Sequence, residues 1–322
     1  MKAFIAAAML AVGAAAVPAL AQTSGPFPSR VVKIIVPQNP GGTSDVLARH
    51  VATRLAEKWG QPVVVDYKAG AGGNVGADFV AKSPADGYTL MLGYVGTQSV
   101  NAAVYKSLSY DPEKDFAAVA AIATIPFMTV VNNKLPVSNM KELIALAKTR
   151  SLNYATSGNG SLNHLMGEML NNTAGVKIVH VPYKGIAQAV TDTIGGQIEV
   201  LHIAVPSVMT QVKAGMVKPI AVTGAKRVDA IKDVPTMAES GVKALEFDSW
   251  FGLFAPAAVP AAVVQKINAD VNEILRAKDT IDKFAGVGAD PLPVSAQAFD
   301  TMVKNDTARW GKVARDSGTK AD

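Results

Sequence analysis

Short apolar runs rich in β-branched residues alternate along this chain with segments whose apolar positions recur every three or four residues. Residues 31–36, Val-Val-Lys-Ile-Ile-Val, have the length and composition of a strand. A loop of prolines and glycines follows at 37–42. It leads into a helix that Thr43 or Ser44 can cap, with Asp45 in its first turn. Leu47, Val51 and Leu55 set an apolar stripe on that helix, and Gly60 ends it. The same reading predicts a strand at 63–65, a glycine-rich loop at 70–76, a helix at 76–81, a turn at 83–87 and a strand at 88–92. Beyond about residue 117 it predicts strands at 127–131, 153–156, 178–181, 200–204 and 220–222. Helices at 139–148, 162–171 and 187–194 lie between them. A strand at 250–255 then precedes two long helices, 261–277 and 296–316. Alternation of this kind predicts an α/β fold with parallel sheet covered by helices.

The first residues break the rhythm. Met1-Lys2 is a short basic start, residues 3–17 are apolar and rich in Ala, and Pro18-Ala19-Leu20-Ala21 ends in Ala-x-Ala before Gln22. This is the pattern of a secretory signal peptide over residues 1–21, cut after Ala21. A membrane span needs about 20 apolar residues, and Pro18 interrupts this stretch early. With no Cys to carry a lipid, the expectation is an exported, periplasmic chain that is not lipid-anchored.

Composition narrows the function classes. A chain of 322 residues suggests two domains. The absence of Cys excludes a disulfide scaffold, a zinc ribbon and a thiol nucleophile. The 31 basic and 26 acidic residues leave a net charge of +5 without any Lys/Arg run. That argues against a nucleic-acid partner. A modest positive field suits an anionic small molecule, and it equally suits an ordinary soluble surface.

The candidate chemistry is mostly of binding. Gly70 to Gly76 follows a strand and opens a helix, but its spacing is not a dinucleotide fingerprint, and 90–96 holds no acidic residue for a ribose. It reads as a tight glycine turn. There is no phosphate-binding Gly-x-x-x-x-Gly-Lys loop and no Gly-x-Ser-x-Gly elbow. His50, His164, His180 and His202 are too far apart in sequence to form a metal-binding helix face. No cofactor, metal or catalytic residue is therefore expected. Ser161 reads as a helix cap, with His164 packed or touching ligand; a Ser–His hydrolase is the alternative. The loops 40–45 and 156–161 share one property: each ends at a helix N-terminus, with glycines and hydroxyls. Such ends offer unpaired N–H groups and a partial positive charge to an anion. Lying in separate halves of the chain, they suggest a ligand held between two lobes. Residues 181–185 add a third strand-to-helix loop with Tyr183 and Lys184, where the plain reading of Lys184 is a surface lysine. Asp45 and Arg49 are spaced for a helix-surface ion pair.

Several stretches resemble one family in order along nearly the whole chain. They are Ile35-Val36-Pro37 through Pro40-Gly41-Gly42-Thr43-Ser44-Asp45-Val46-Leu47-Ala48-Arg49, Lys68 to Gly76, Pro84 to Leu90, Ser157 to Leu165, Val181 to Gly185, Ala221 to Arg227 and Ser249 to Pro256. The series is similar to the Bug family, the solute-binding proteins of tripartite tricarboxylate transporters. The resemblance implies a periplasmic-binding-protein-like fold, two α/β lobes with a ligand cleft between them, and no enzymatic activity. It implies a small organic carboxylate as ligand: a di- or tricarboxylate, an acidic amino acid or an aromatic acid. It also implies inner-membrane permease subunits as partners. A monomer is expected. A periplasmic sensor feeding a membrane signalling protein would use the same fold and site. The chain departs from the family at Gln38, where an aromatic residue is common, and at His202 and Ala204.

Because 250–255 reads as a strand returning to the first sheet, the first lobe is expected at 27–127 plus 247–322 and the second at 128–246. The carboxylate is expected between Gly41, Gly42, Thr43, Ser44 and Asp45 on one side and Ser157, Asn159, Gly160, Ser161 and His164 on the other. Gln38, Thr97, Tyr183, Lys184 and His202 are expected to read the rest of the ligand.

Overall fold

The structure, a computed structural model, describes residues 27–321. The signal-peptide reading of residues 1–21 lies outside the described residues. The chain opens with β1 (Val32–Val36), α1 (Thr43–Trp59), β2 (Val63–Tyr67), α2 (Asn74–Ala81) and β3 (Thr89–Tyr94). A π-helical turn, Gly96–Val100, runs into the short α3 (Asn101–Val104). The long β4 (Phe116–Asn132) precedes α4 (Met140–Ala147), β5 (Asn153–Thr156), α5 (Leu162–Ala174), β6 (Val179–Pro182), α6 (Ile186–Gly195) and β7 (Val200–Ala204). Then come α7 (Met209–Lys213), β8 (Val217–Val222), β9 (Asp248–Pro256), α8 (Ala261–Leu275), α9 (Lys278–Ala285), β10 (Asp290–Pro291) and α10 (Ala296–Ser317). Among the described residues no helix is long and apolar enough to cross a membrane.

Two sheets share β4. In the first the strands run β2-β1-β3-β9-β4, with β10 on the far side of β4; in the second they run β8-β4-β7-β5-β6. The expectation of parallel sheet holds only in part. Pairings β1·β2, β1·β3, β5·β6 and β5·β7 are parallel, whereas every pairing made by β4 or β9 is antiparallel. The reason lies in residues 116–126. This Ala-rich segment is strand, yet it has neither alternation nor strong β-branched content, because it is buried on both faces. A further difference is the predicted helix at 261–277, which stops at Leu275; α9 forms separately after Ala277.

Apolar stripes dock the helices. Leu47, Val51 and Leu55 of α1 pack with Ile267 and Val271 of α8 on one face of the first sheet. On the other face, Phe299, Val303 and Trp310 of α10 meet Trp250 and Phe254. The same cluster continues into the second sheet's layer through Leu165, Met166 and Leu170 of α5. In the second sheet Met128, Val130, Leu201 and Ile203 are covered by Ala189 and Val190 of α6.

The chain passes between the sheets in the middle of β4. Pro126 still pairs with Asp248 of β9, and the next residue, Phe127, pairs with Ala204 of β7. The return passage is tied to this point. The Phe127 N–H donates to Thr223 Oγ1 (2.9 Å), the Thr223 N–H donates to Phe127 O (2.8 Å), and the Phe247 N–H donates to Thr223 O (3.0 Å). The result is two α/β lobes with a cleft beside the crossing strands.

Candidate functional site

The first wall of the cleft is the start of α1. Its N-cap is Gly42, extended and without a side chain to cap the helix. The N–H groups of Asp45 and Val46 both turn to Gly42 O, at 3.1 and 3.3 Å. Those of Thr43 and Ser44 come too early in the helix for an intrahelical acceptor, so they point out of its end. The Pro40–Gly42 loop is fastened by Asp45. That carboxylate accepts from the Tyr67 hydroxyl, the Gly41 N–H (2.8 Å) and Arg49 Nε (2.6 Å). The Tyr67 bond first, then those from Gly41 and Arg49, hold it below the usual carboxylate range.

The second wall is the loop from β5 to α5. Ser161 caps α5: its hydroxyl accepts from the His164 N–H (3.4 Å) and donates to Gly158 O (2.6 Å). His164 Nδ1 accepts from the Gly160 N–H (3.1 Å), so the ring faces the loop's backbone. Ser161 and His164 are therefore not arranged as nucleophile and base. Ser157 Oγ donates to Asn163 Oδ1 (3.0 Å).

Between these walls lies a cavity of about 630 Å³. Its floor comes from the crossing strands: Ile125 and Phe127 of β4, Ile203 and Ala204 of β7, and Ser249 and Phe251 of β9. Tyr94 and Tyr105 add aromatic surface. Tyr94, pushed up to about 12 by burial, keeps its proton and donates to Gly72 O (2.8 Å). Among the described residues that line the cavity there is no Asp, Glu, Lys, Arg or His. An anion there would meet neutral donors and the positive ends of α1 and α5.

Gln38, Gly42, Thr43, Ser44, Ser157, Asn159, Gly160 and Ser161 all line this cavity, so the two predicted loops do meet. The other predicted residues stand elsewhere. Gly41 lines a second cavity, which adjoins the first at Gly42, Thr43, Pro206 and Ser207. Asp45 is spent on its own loop. Thr97 is fully buried and exchanges hydrogen bonds with the Tyr94 backbone. Tyr183 donates to Asp192 Oδ2 (2.8 Å), and Lys184 is exposed outside the cavity lining. His202 is fully buried beneath the floor, with Nδ1 3.0 Å from Thr129 Oγ1. His164 lies behind the loop. Asp45, Thr97, His164, Tyr183 and His202 Nδ1 each meet a protein partner instead of the cavity. Sequence reasoning missed Asn101, Tyr105, Phe127 and Phe251. The last two are strand residues with the signature of core, and the first two stand at the start and just past the end of the short α3, which no periodicity announces.

The buried imidazoles of His164, His180 and His202 carry a pH consequence. Burial pushes His164 and His180 down to about 4 and His202 to about 3, from an ordinary 6.5; the His164 charge adds to the effect on His180. As pH falls, the unfolded chain takes up these protons first. The stability tied to the neutral rings is full above pH 6.5 and is lost as pH falls toward 4. Urea midpoints should be level from about pH 8 to 7 and fall steadily below 6.5. A midpoint unchanged down to pH 4.5 would contradict this.

Comparison with known proteins places the chain. The family model described as "Tripartite tricarboxylate transporter family receptor" matches residues 47–319. The chain belongs to this family. The protein BugT of Bordetella pertussis is 34% identical over 91% of this chain and 91% of its own length, so the Bug resemblance holds. Among solved structures, an R. palustris protein, Rpa4515 with adipate, is 39% identical, with a TM-score of 0.80 over 92% of this chain and 99% of its own. MatC from Rhodopseudomonas palustris, with bound malate, is 30% identical, with a TM-score of 0.76 over 89% of this chain and 99% of its own.

Proposed function

We propose that this chain is a periplasmic solute-binding receptor for a small organic carboxylate. One observation carries the reading. The cavity brings the side-chain-uncapped N-terminus of a 17-residue helix against a neutral Ser/Asn loop of the other lobe, with no ionised side chain in its lining. Helix N–H groups and dipole hold an anion without a buried ion pair, which keeps release reversible. The apolar floor of Ile125, Phe127, Ile203 and Phe251 suits an aliphatic or aromatic body behind the carboxylate. The adipate and malate carried by the two R. palustris proteins support the same class.

In this reading the lobes are 27–127 plus 247–322 and 128–246, and ligand draws them together about the Phe127–Thr223 ties. Thr43 and Ser44 supply N–H donors, and Ser157 and Asn159 face the ligand from the second lobe. The family's name supports permease subunits of a tripartite transporter as the partners, with delivery rather than turnover as the outcome.

Thermal unfolding of the chain lacking residues 1–21, with and without adipate, tests this. At a ligand concentration about a hundredfold over Kd, binding adds about 2.7 kcal/mol and should raise Tm by roughly 5 °C. The uncharged diamide of adipate should leave Tm in place. A panel of mono-, di- and tricarboxylates that shifts nothing, or a diamide as effective as the acid, would refute the reading.

A further inference from the structure

The loop between β5 and α5 gives the cleft much of its second wall, yet its backbone is pinned from behind by two histidines that do not line the cavity. His164 Nδ1 accepts from the Gly160 N–H (3.1 Å). His180 Nε2 lies 2.6 Å from Thr156 Oγ1, and that same oxygen accepts from the Gly158 N–H (3.2 Å). The two rings are stacked, with centroids 3.7 Å apart and planes 14° from parallel. Each ring therefore reaches a different point of one loop, and each fixes the other's orientation.

We propose that His164 and His180 are positioning residues, a stacked and uncharged imidazole pair that sets the backbone of residues 157–161 and through it the affinity of the cleft. The affinity half of this rests on the carboxylate reading above; the positioning half does not. An acceptor at His164 Nδ1 places that ring's proton on Nε2. Nε2 in turn lies 3.9 Å from Glu168 Oε1, which is already taken by the Tyr154 hydroxyl at 2.7 Å. The titratable groups facing the pair are Glu168 of α5, Tyr154 of β5 and His202 of β7, whose ring lies against Tyr154. A proton added to His164 Nδ1 would remove the acceptor from Gly160. Charging both rings would set like charges face to face in a buried layer. Both effects release the loop, so the device works only when neutral.

The test uses the chain lacking residues 1–21. His164→Asn keeps an acceptor near the Nδ1 position, and His164→Leu removes it. His180→Gln keeps a polar atom near Nε2, and His180→Leu removes it. Two readouts need no ligand. Ring-nitrogen NMR of the parent at neutral pH should show His164 uncharged with its proton on Nε2. Amide hydrogen exchange at Gly160 should speed up by about tenfold or more in His164→Leu and stay within about threefold of the parent in His164→Asn. The third readout is calorimetric titration with adipate. Both Leu variants should bind about tenfold or more weakly, with Asn and Gln within about threefold of the parent.

A charged His164, a proton on Nδ1, parent-like Gly160 exchange in a folded His164→Leu, or parent-like affinity in both Leu variants would each overturn the proposal. If the Leu variants do not fold, the parent's ring tautomer and the Gly160 exchange of His164→Asn decide it. A parent that binds no carboxylate, yet gives the expected tautomer and exchange, would overturn the ligand reading and uphold the positioning of the loop.

Discussion

Gly160→Val should lower carboxylate affinity by roughly fivefold to a hundredfold. Gly160 has φ +70, and a Cβ built there would lie 2.8 Å from the Ala321 Cβ and 3.0 Å from Val104 Cγ2. Val104 belongs to α3 beside the first sheet, and Ala321 is held to it by the bond from its N–H to Val104 O (3.0 Å). A side chain at 160 is therefore a wedge between the second wall of the cleft and the body of the other lobe. The left-handed backbone costs a β-branched residue roughly 1–2 kcal/mol. Overpacking adds about 1–3 kcal/mol. The strain is present with and without ligand and falls on folding; the overpacking opposes closure, and at 1.4 kcal/mol per decade it spans roughly fivefold to a hundredfold. Gly175→Ala separates the two. Gly175 ends α5 with φ +61 and nothing within 4 Å of a built Cβ, so it bears backbone strain alone. It should lower the urea midpoint slightly and leave the adipate Kd unchanged. Calorimetry on the two variants checks the pair; a Gly160→Val protein that binds adipate as Gly175→Ala does would mean the lobes do not meet at residue 160 when ligand is bound.

The loops that form the cleft were legible because a helix N-terminus leaves local marks. Ser161 stands where a cap belongs, and Gly41-Gly42 precedes an apolar stripe at Leu47, Val51 and Leu55. What lay beyond local marks was direction. Asp45, Thr97, His164, Tyr183 and His202 have the chemistry to read a ligand, and the fold turns each toward protein. Spacing along a chain does not say whether a polar group faces a cavity or the backbone of its own loop. Only the three-dimensional competition for hydrogen-bond partners decides that. The apolar half of the lining was hidden for the opposite reason. Phe127, Ile203 and Phe251 lie on buried strands, and apolar residues on a strand carry the same signature whether they face a core or a cavity floor. The first half of β4 carries no strand signature, because alanines buried on both faces show no period.

Thr43→Pro should remove a single ligand contact while leaving the helix in place, a clean test of what the end of α1 contributes. Thr43 is the first helical residue, where the N–H has no intrahelical acceptor and proline is well tolerated. The residue before it, Gly42, is extended (φ −91, ψ −176), the conformation that a following proline prefers. The substitution therefore deletes one N–H from the cleft without breaking a helix bond. A hydrogen bond to a charged group contributes about 1.5–3 kcal/mol, so adipate affinity should fall by roughly tenfold to a hundredfold. The urea midpoint should stay at the parent's value or rise a little, because proline restricts the unfolded chain. Thr43→Ala keeps the N–H and discards the hydroxyl, so the gap between the two variants isolates the backbone donor from the side chain. Calorimetric titration gives that gap directly. If Thr43→Pro, with its midpoint intact, binds adipate as tightly as Thr43→Ala, the anion does not sit on the helix end and the neutral loop of Ser157 and Asn159 must hold it instead.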